Sequence, residues 1–177
     1  MGRKIGFVRT PASRSRRGDA STQNLEYLIC SRHDEEMKLS KRLAEIVEAL
    51  PVKPGHRILE IGCGPGAAAR ALSEKVSKGH IVGIDRSAKA IALAEKSCRD
   101  EIASGRLSFR KVAIENFELT KGEKKFDLIF AVRVGALDGR HPEAGELALE
   151  VIRKVLAPGG RVFIDGGKPL KELKVNS

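Results

Sequence analysis

A chain of 177 residues is long enough for one domain with a substantial core and too short for two of ordinary size. With 41% hydrophobic and 32% charged residues, it has the composition of a globular protein, and no apolar run approaches the ~20 residues a membrane-spanning helix needs. The net charge of +10 permits a polyanionic partner without demanding one, because acidic and basic residues alternate along most of the chain.

The exception comes first in the chain. Residues 1–33 read as a basic arm, rich in Arg, Ser and Gly, ahead of a globular domain over 34–177. Arg3, Lys4, Arg9, Arg14, Arg16 and Arg17 are not followed by an apolar stretch, so the segment lacks the pattern of a secretory signal. Its composition suits a loosely docked tail, or an arm that closes over substrate or touches nucleic acid. One tyrosine and no tryptophan leave few stacking platforms for single strands. Cys30, Cys63 and Cys98 stand too far apart in sequence for a metal-binding pair, and their odd number suits a reducing compartment. A cytoplasmic protein is expected.

From Asp34 to Leu50 the spacing predicts an amphipathic helix. Met37, Leu39, Leu43, Ile46, Val47 and Leu50 recur at three-to-four intervals, with Asp34 as cap and Pro51 and Pro54 as stops. Beyond Gly55, short apolar runs alternate with longer helical ones. Strands are predicted over 57–61, 81–84, 107–112, 126–132 and 161–164, and helices over 67–76, 88–99 and 143–156. The segment 116–125 is shorter and less clearly helical. Such alternation builds an α/β fold, a doubly wound and mostly parallel sheet, because each right-handed crossover lays a helix on the sheet.

The first strand runs through Glu60 and Ile61 into Gly62-Cys63-Gly64-Pro65-Gly66 and then into an alanine-rich helix. Glycines there allow a sharp turn and a ligand's close approach to backbone and helix end. A tight turn without a ligand is the plainer alternative. Gly62, Gly64 and Ala67 also satisfy the dinucleotide pattern G-x-G-x-x-G/A, with Asp85 at the expected distance to accept from a ribose. Four features favour a different nucleoside. Glu60 creates E-x-G-x-G-x-G, an anion unsuited to a pyrophosphate and suited to a cationic ligand. Phe126-Asp127-Leu128-Ile129-Phe130-Ala131 makes a buried fourth strand, Leu156-Ala157-Pro158-Gly159-Gly160 turns into a fifth, and all the pieces occur in one order.

With those motifs, residues 57–165 resemble a class I S-adenosylmethionine-dependent methyltransferase. The resemblance implies a Rossmann-like sheet of order 3-2-1-4-5 that binds S-adenosyl-L-methionine at the carboxyl edges of its first two strands. It implies that Gly62 and Gly64 line the methionine half and that Glu60 holds the loop or receives the ammonium through neighbours; Cys63, in the same cofactor-binding turn, reads beside the glycines as a small packed residue rather than a nucleophile. Asp85 is expected on the ribose, Arg86 beside the adenine face, and Ala113 and Ile114 along the adenine edge. Many family members carry Asp at the Ala113 position, so that contact would pass to backbone or Glu115. Ala131 and Val132 would stand beside the methyl group.

The family usually continues past its fifth strand with an antiparallel pair, and none is expected here, where the tail 171–174 is charged. The edge so exposed suggests a homodimer. In the loop 133–141, Arg133, Asp138 and His141 are candidates for orienting or deprotonating the acceptor, although no single catalytic residue is legible. No Asn/Asp-Pro-Pro-aromatic tetrapeptide follows the fourth strand and no Pro-Cys pair is present, so a small-molecule acceptor leads and RNA comes second. A non-catalytic cofactor-binding module and a nicotinamide-dependent oxidoreductase are the competing functions.

Overall fold

The computed structural model describes residues 39–175, all within one unit, Met37–Ser177. The basic arm, Cys30 and the proposed Asp34 cap lie outside the described residues. Six strands are present among them: β1 (Arg57–Ile61), β2 (His80–Asp85), β3 (Leu107–Lys111), β4 (Phe126–Ala131), β5 (Leu156–Asp165) and β6 (Leu170–Leu173). Their order is β3-β2-β1-β4-β5-β6, the first five parallel and β6 antiparallel to β5. The helices are α1 (Lys41–Ala49), α2 (Ala67–Ser73), α3 (Ala88–Ser97), α4 (Arg99–Ala103) and α5 (Pro142–Val155).

The pleat divides each strand between two apolar layers. Leu59, Ile61, Val82, Ile84, Ile129 and Ile164 join Ala148, Ile152 and Val155 of α5 on one face. Ile58, Ile81, Leu128, Phe130 and Phe163 join Val47 near the end of α1, Ala68, Ala69 and Leu72 of α2, and Cys98 on the other. Both faces are covered. The doubly wound sheet follows.

Four details differ from the sequence expectation. Residues 39–40 are not helical and Ser40 caps α1 by accepting from the Leu43 amide at 3.3 Å, so no continuous helix runs from Asp34. The helix predicted over 88–99 breaks at Cys98, whose backbone (φ −116°, ψ 32°) leaves the helical basin, and α4 follows. Strand β5 starts five residues before Arg161, because residues 157–160 bulge between the Phe126–Leu156 and Leu128–Arg161 pairs. An antiparallel strand does follow β5. Gly166 and Gly167 turn the chain back, and Glu172 accepts two hydrogen bonds from Arg161 at 2.9 and 2.6 Å, which turns a charged tail into a short paired edge.

The loop between β3 and β4 makes one 3-10 turn, Ile114–Asn116, buries Ile114 and Phe117 in the core, and is further held by the carboxylate of Glu123. Glu123, 5% exposed, accepts from Arg57, from both terminal nitrogens of Arg110 (2.9 and 2.6 Å) and from the amide and hydroxyl of Thr120 (2.8 and 3.0 Å). The two guanidinium groups also lie over the rings of Phe126 and Phe117. Burial works to raise the pKa of Glu123, but the hydrogen bonds from Arg110 and Thr120 outweigh it and lower the value from 4.5 to about 2. The folded value is depressed, so the stabilisation is present above pH 4.5 and is lost as pH falls through about 2. Glu123→Gln should cost about 3 kcal/mol at pH 7 by leaving two partly buried guanidinium groups without their counter-charge. Urea unfolding from pH 7 down to pH 2 measures this, and the gap to wild type should close on acidification.

Candidate functional site

At the carboxyl edge, β1 lies between β2 and β4, and the crossovers leaving β1 and β4 go to opposite faces of the sheet. A crevice opens at such a switch point. It holds a cavity of about 810 Å³ whose walls come from four places. Gly62 belongs to the turn after β1, and Asp85 and Arg86 close β2. Ala113, Ile114 and Glu115 follow β3. Arg133, Val134, Gly135, Arg140 and His141 come from the turn between β4 and α5, with Glu143 at the start of α5.

The turn after β1 is held from below. Ile84 of β2 accepts from the amides of Gly62 (2.8 Å) and Cys63 (3.0 Å), and the Asp85 carboxylate accepts from the Gly64 amide at 3.0 Å. Its second oxygen accepts from the Ser87 amide at 2.8 Å, so Asp85 also shapes the entry to α3. Gly62 and Gly66 need to be glycine, with φ at 71° and 85°. A Cβ on Gly62 would come within 2.7 Å of Val134, and one on Gly66 within 2.8 Å of Phe109. The space beside Gly64 is open.

Of the residues expected at a cofactor, Gly62, Asp85, Arg86, Ala113 and Ile114 line the cavity together. Glu60, Cys63, Gly64 and Ala131 do not. Ala131 and Cys63 are buried in the packing beneath, and burial pushes the Cys63 thiol far up, with the nearby Glu60 and Asp85 adding to the shift. Glu60 is 5% exposed; its carboxyl turns under the glycine turn and accepts from the Ala69 amide, one of the free donors in the first turn of α2. Burial raises its pKa from 4.5 to about 8, the Ala69 bond opposes this, and Asp85 adds to it. At neutral pH this group is predominantly protonated. Of the two roles expected of Glu60, this placement accords with holding the loop, and its Oε2 has no hydrogen-bond partner among the described residues.

The loop candidates also separate. Arg133 and His141 face the cavity, whereas Asp138 does not line it. The Arg140 guanidinium clamps Asp138 at 2.6–3.0 Å and holds its carboxyl below the usual range, which makes it a poor base. Val134, Gly135, Arg140 and Glu143 were not anticipated. Their only signal in sequence was their position after the fourth strand.

The methyltransferase-domain family model matches residues 52–175. A probable cobalt-precorrin-6B C(15)-methyltransferase (decarboxylating) of Saccharolobus solfataricus is 31% identical over 144 residues, covering 75% of this chain and 64% of that protein. Phosphoethanolamine N-methyltransferase 2 of Haemonchus contortus, solved in complex with S-adenosyl-L-methionine, superposes with a TM-score of 0.57 at 26% identity, over 70% of this chain and 27% of that one. The [4+2]-cyclase SpnF gives 0.58 at 28% identity, over 70% and 43%. The chain spans less than two thirds of the length of the curated relatives it matches.

Glu60 generates a prediction about pH. Its folded value is raised, so the stability it contributes is full below pH 4.5 and lost as pH rises through about 8. Glu60→Gln, neutral at every pH, should melt increasingly above wild type between pH 5 and pH 8.5. Parallel melting curves across that range would count against a buried neutral Glu60.

Proposed function

This chain belongs to the methyltransferase-domain family, and we propose that it binds S-adenosyl-L-methionine in the cavity at the ends of β1 and β2 and methylates a small-molecule acceptor. The observation that carries the reading is the meeting of Gly62, Asp85, Arg86, Ala113 and Ile114 on one wall of a cavity of about 810 Å³, a size suited to a nucleoside ligand with room beside it. Asp85 has the chemistry for ribose hydroxyls. Each carboxylate oxygen has a second lone pair, so the bonds from Gly64 and Ser87 leave acceptor capacity toward the cavity. Ala113 and Ile114 offer an apolar edge to the base, and Arg86 and Glu115 stand at its rim. Gly62 leaves room for the chain that carries the sulfur. Glu60 and Cys63 act from beneath, keeping the turn in shape, and Gly64 acts by docking the turn on Asp85.

The cofactor, when bound, supplies a methyl group on a sulfonium centre. The protein then has to align an acceptor on the far side of that carbon, and alignment alone accounts for much of the acceleration in such a displacement. Arg133, Arg140, His141 and Glu143 line that side of the cavity; the arginines can orient an acceptor, and His141 or Glu143 can take its proton. A small acceptor accords with the relatives named for phosphoethanolamine and for O-methylation. We place the reaction in the cytoplasm; among the described residues no helix is long and apolar enough to cross a membrane. The basic arm remains the segment through which RNA would be engaged, and a homodimer the assembly proposed.

Asp85→Ala removes the ribose acceptor and the anchor of the Gly64 amide together. Affinity for S-adenosylhomocysteine, measured by calorimetry, should fall by about 10- to 100-fold, the equivalent of one or two charge-assisted hydrogen bonds. Unchanged affinity would show that the ribose lies elsewhere. Thermal stabilisation by NAD(H) and none by S-adenosylhomocysteine would replace this reading with an oxidoreductase.

A further inference from the structure

Arg133 is the one described non-glycine residue with a left-handed backbone, at φ 58°. A residue with a side chain is disfavoured there and stays only when its surroundings over-determine it. Both of its backbone polar groups are held. Its amide donates to Asp165 Oδ1 at 3.0 Å, and its carbonyl accepts from Arg140 Nη2 at 3.5 Å, Arg140 being fixed in turn by Asp138.

Asp165 is placed for this by the sheet. The pairing of β4 with β5 ends at Ala131–Ile164, so the Arg133 amide has passed the last strand acceptor. The next residue of β5 is Asp165, and its side chain supplies the oxygen that the ladder no longer offers. Asp165 is itself pinned, paired with Leu170 of β6 and with its second oxygen 3.7 Å from Arg42 of α1. It does not line the cavity. What it controls is the residue after Arg133. Once the chain turns there, Val134 seats against Gly62, so close that a Cβ on Gly62 would be 2.7 Å from Val134 Cγ2. The remainder of the turn closes on itself, with Val134 accepting from Leu137 and Asp138 and Gly135 accepting from His141.

We propose, on the reading of this cavity as the cofactor site, that Asp165 is a positioning residue: it holds Arg133 left-handed and thereby sets the β4–α5 turn as the wall facing the glycine turn. A ligand never touches Asp165; its influence passes through the Arg133 backbone. Arg42 is the second group on the same carboxylate, so a charge effect through α1 must be separated from the effect on the turn.

Calorimetric titration with S-adenosylhomocysteine separates them. Asp165→Ala should weaken binding by about tenfold, the scale of one strained backbone conformation left unsupported. Asp165→Asn keeps an oxygen for the Arg133 amide while losing the charge facing Arg42, and should remain within about threefold of wild type. In an Arg133→Gly background, Asp165→Ala should cost less than about twofold, because glycine adopts positive φ without strain. The assignment is overturned if Asp165→Ala binds normally, if Asp165→Asn is as weak as Asp165→Ala, or if the loss is equal in both backgrounds. Should Asp165→Ala fail to fold, amide exchange in the wild-type protein decides: the Arg133 amide should be protected, and exchange at the rate of an open loop overturns the assignment. Failure of wild type to bind S-adenosylhomocysteine would remove the function proposed for the cavity, while the protection of the Arg133 amide would still report on Asp165.

Discussion

The hydrogen bond from the Gly64 amide to the Asp85 carboxylate joins the end of β1 to the end of β2, and the candidate site depends on it. Two parallel strands side by side leave unpaired amides where the first one turns away. Here Ile84 takes the first two, from Gly62 and Cys63, and Asp85 takes the third. The turn is thus stacked on the neighbouring strand before any ligand arrives. One residue fixes the turn, starts α3 through Ser87 and lines the cavity.

Glu60 gives the same turn its floor. A carboxyl group buried among apolar side chains is costly when ionised, and here burial raises its pKa to about 8 while the Ala69 amide of the helix bonds to it. The sequence pattern E-x-G-x-G-x-G therefore has a mechanical meaning. The acid braces the first turn of α2, and the glycines bend around it. Among the described residues, the buried Oε2 has no hydrogen-bond partner.

The strands expected over 57–61, 81–84 and 126–132, and found at 57–61, 80–85 and 126–131, are legible because continuous apolar runs between glycine or charged boundaries are what a sheet covered on both faces requires. Asp85 was legible because strand length, turn and carboxylate spacing constrain one another. Less could be read where a tertiary contact outweighed local pattern. Residues 157–160 look like a turn and instead bulge within β5, and the charged segment 170–173 pairs because Arg161 and Glu172 meet across strands. The site wall between β4 and α5 was legible only as a location. Nothing in the string Arg133-Val134-Gly135 announces a left-handed arginine, since its conformation is set by an aspartate 32 residues away. Asp138 looked as suitable as His141 for proton transfer until Arg140 proved to be its partner.

The most direct measurement is a crystal structure of the protein with S-adenosylhomocysteine. The account predicts the ribose hydroxyls on the Asp85 carboxylate, the base along Ala113 and Ile114, and the sulfur-bearing chain crossing Gly62 toward Arg133. A ligand bound away from the ends of β1 and β2, or an Asp85 side chain turned from the ligand, would contradict it.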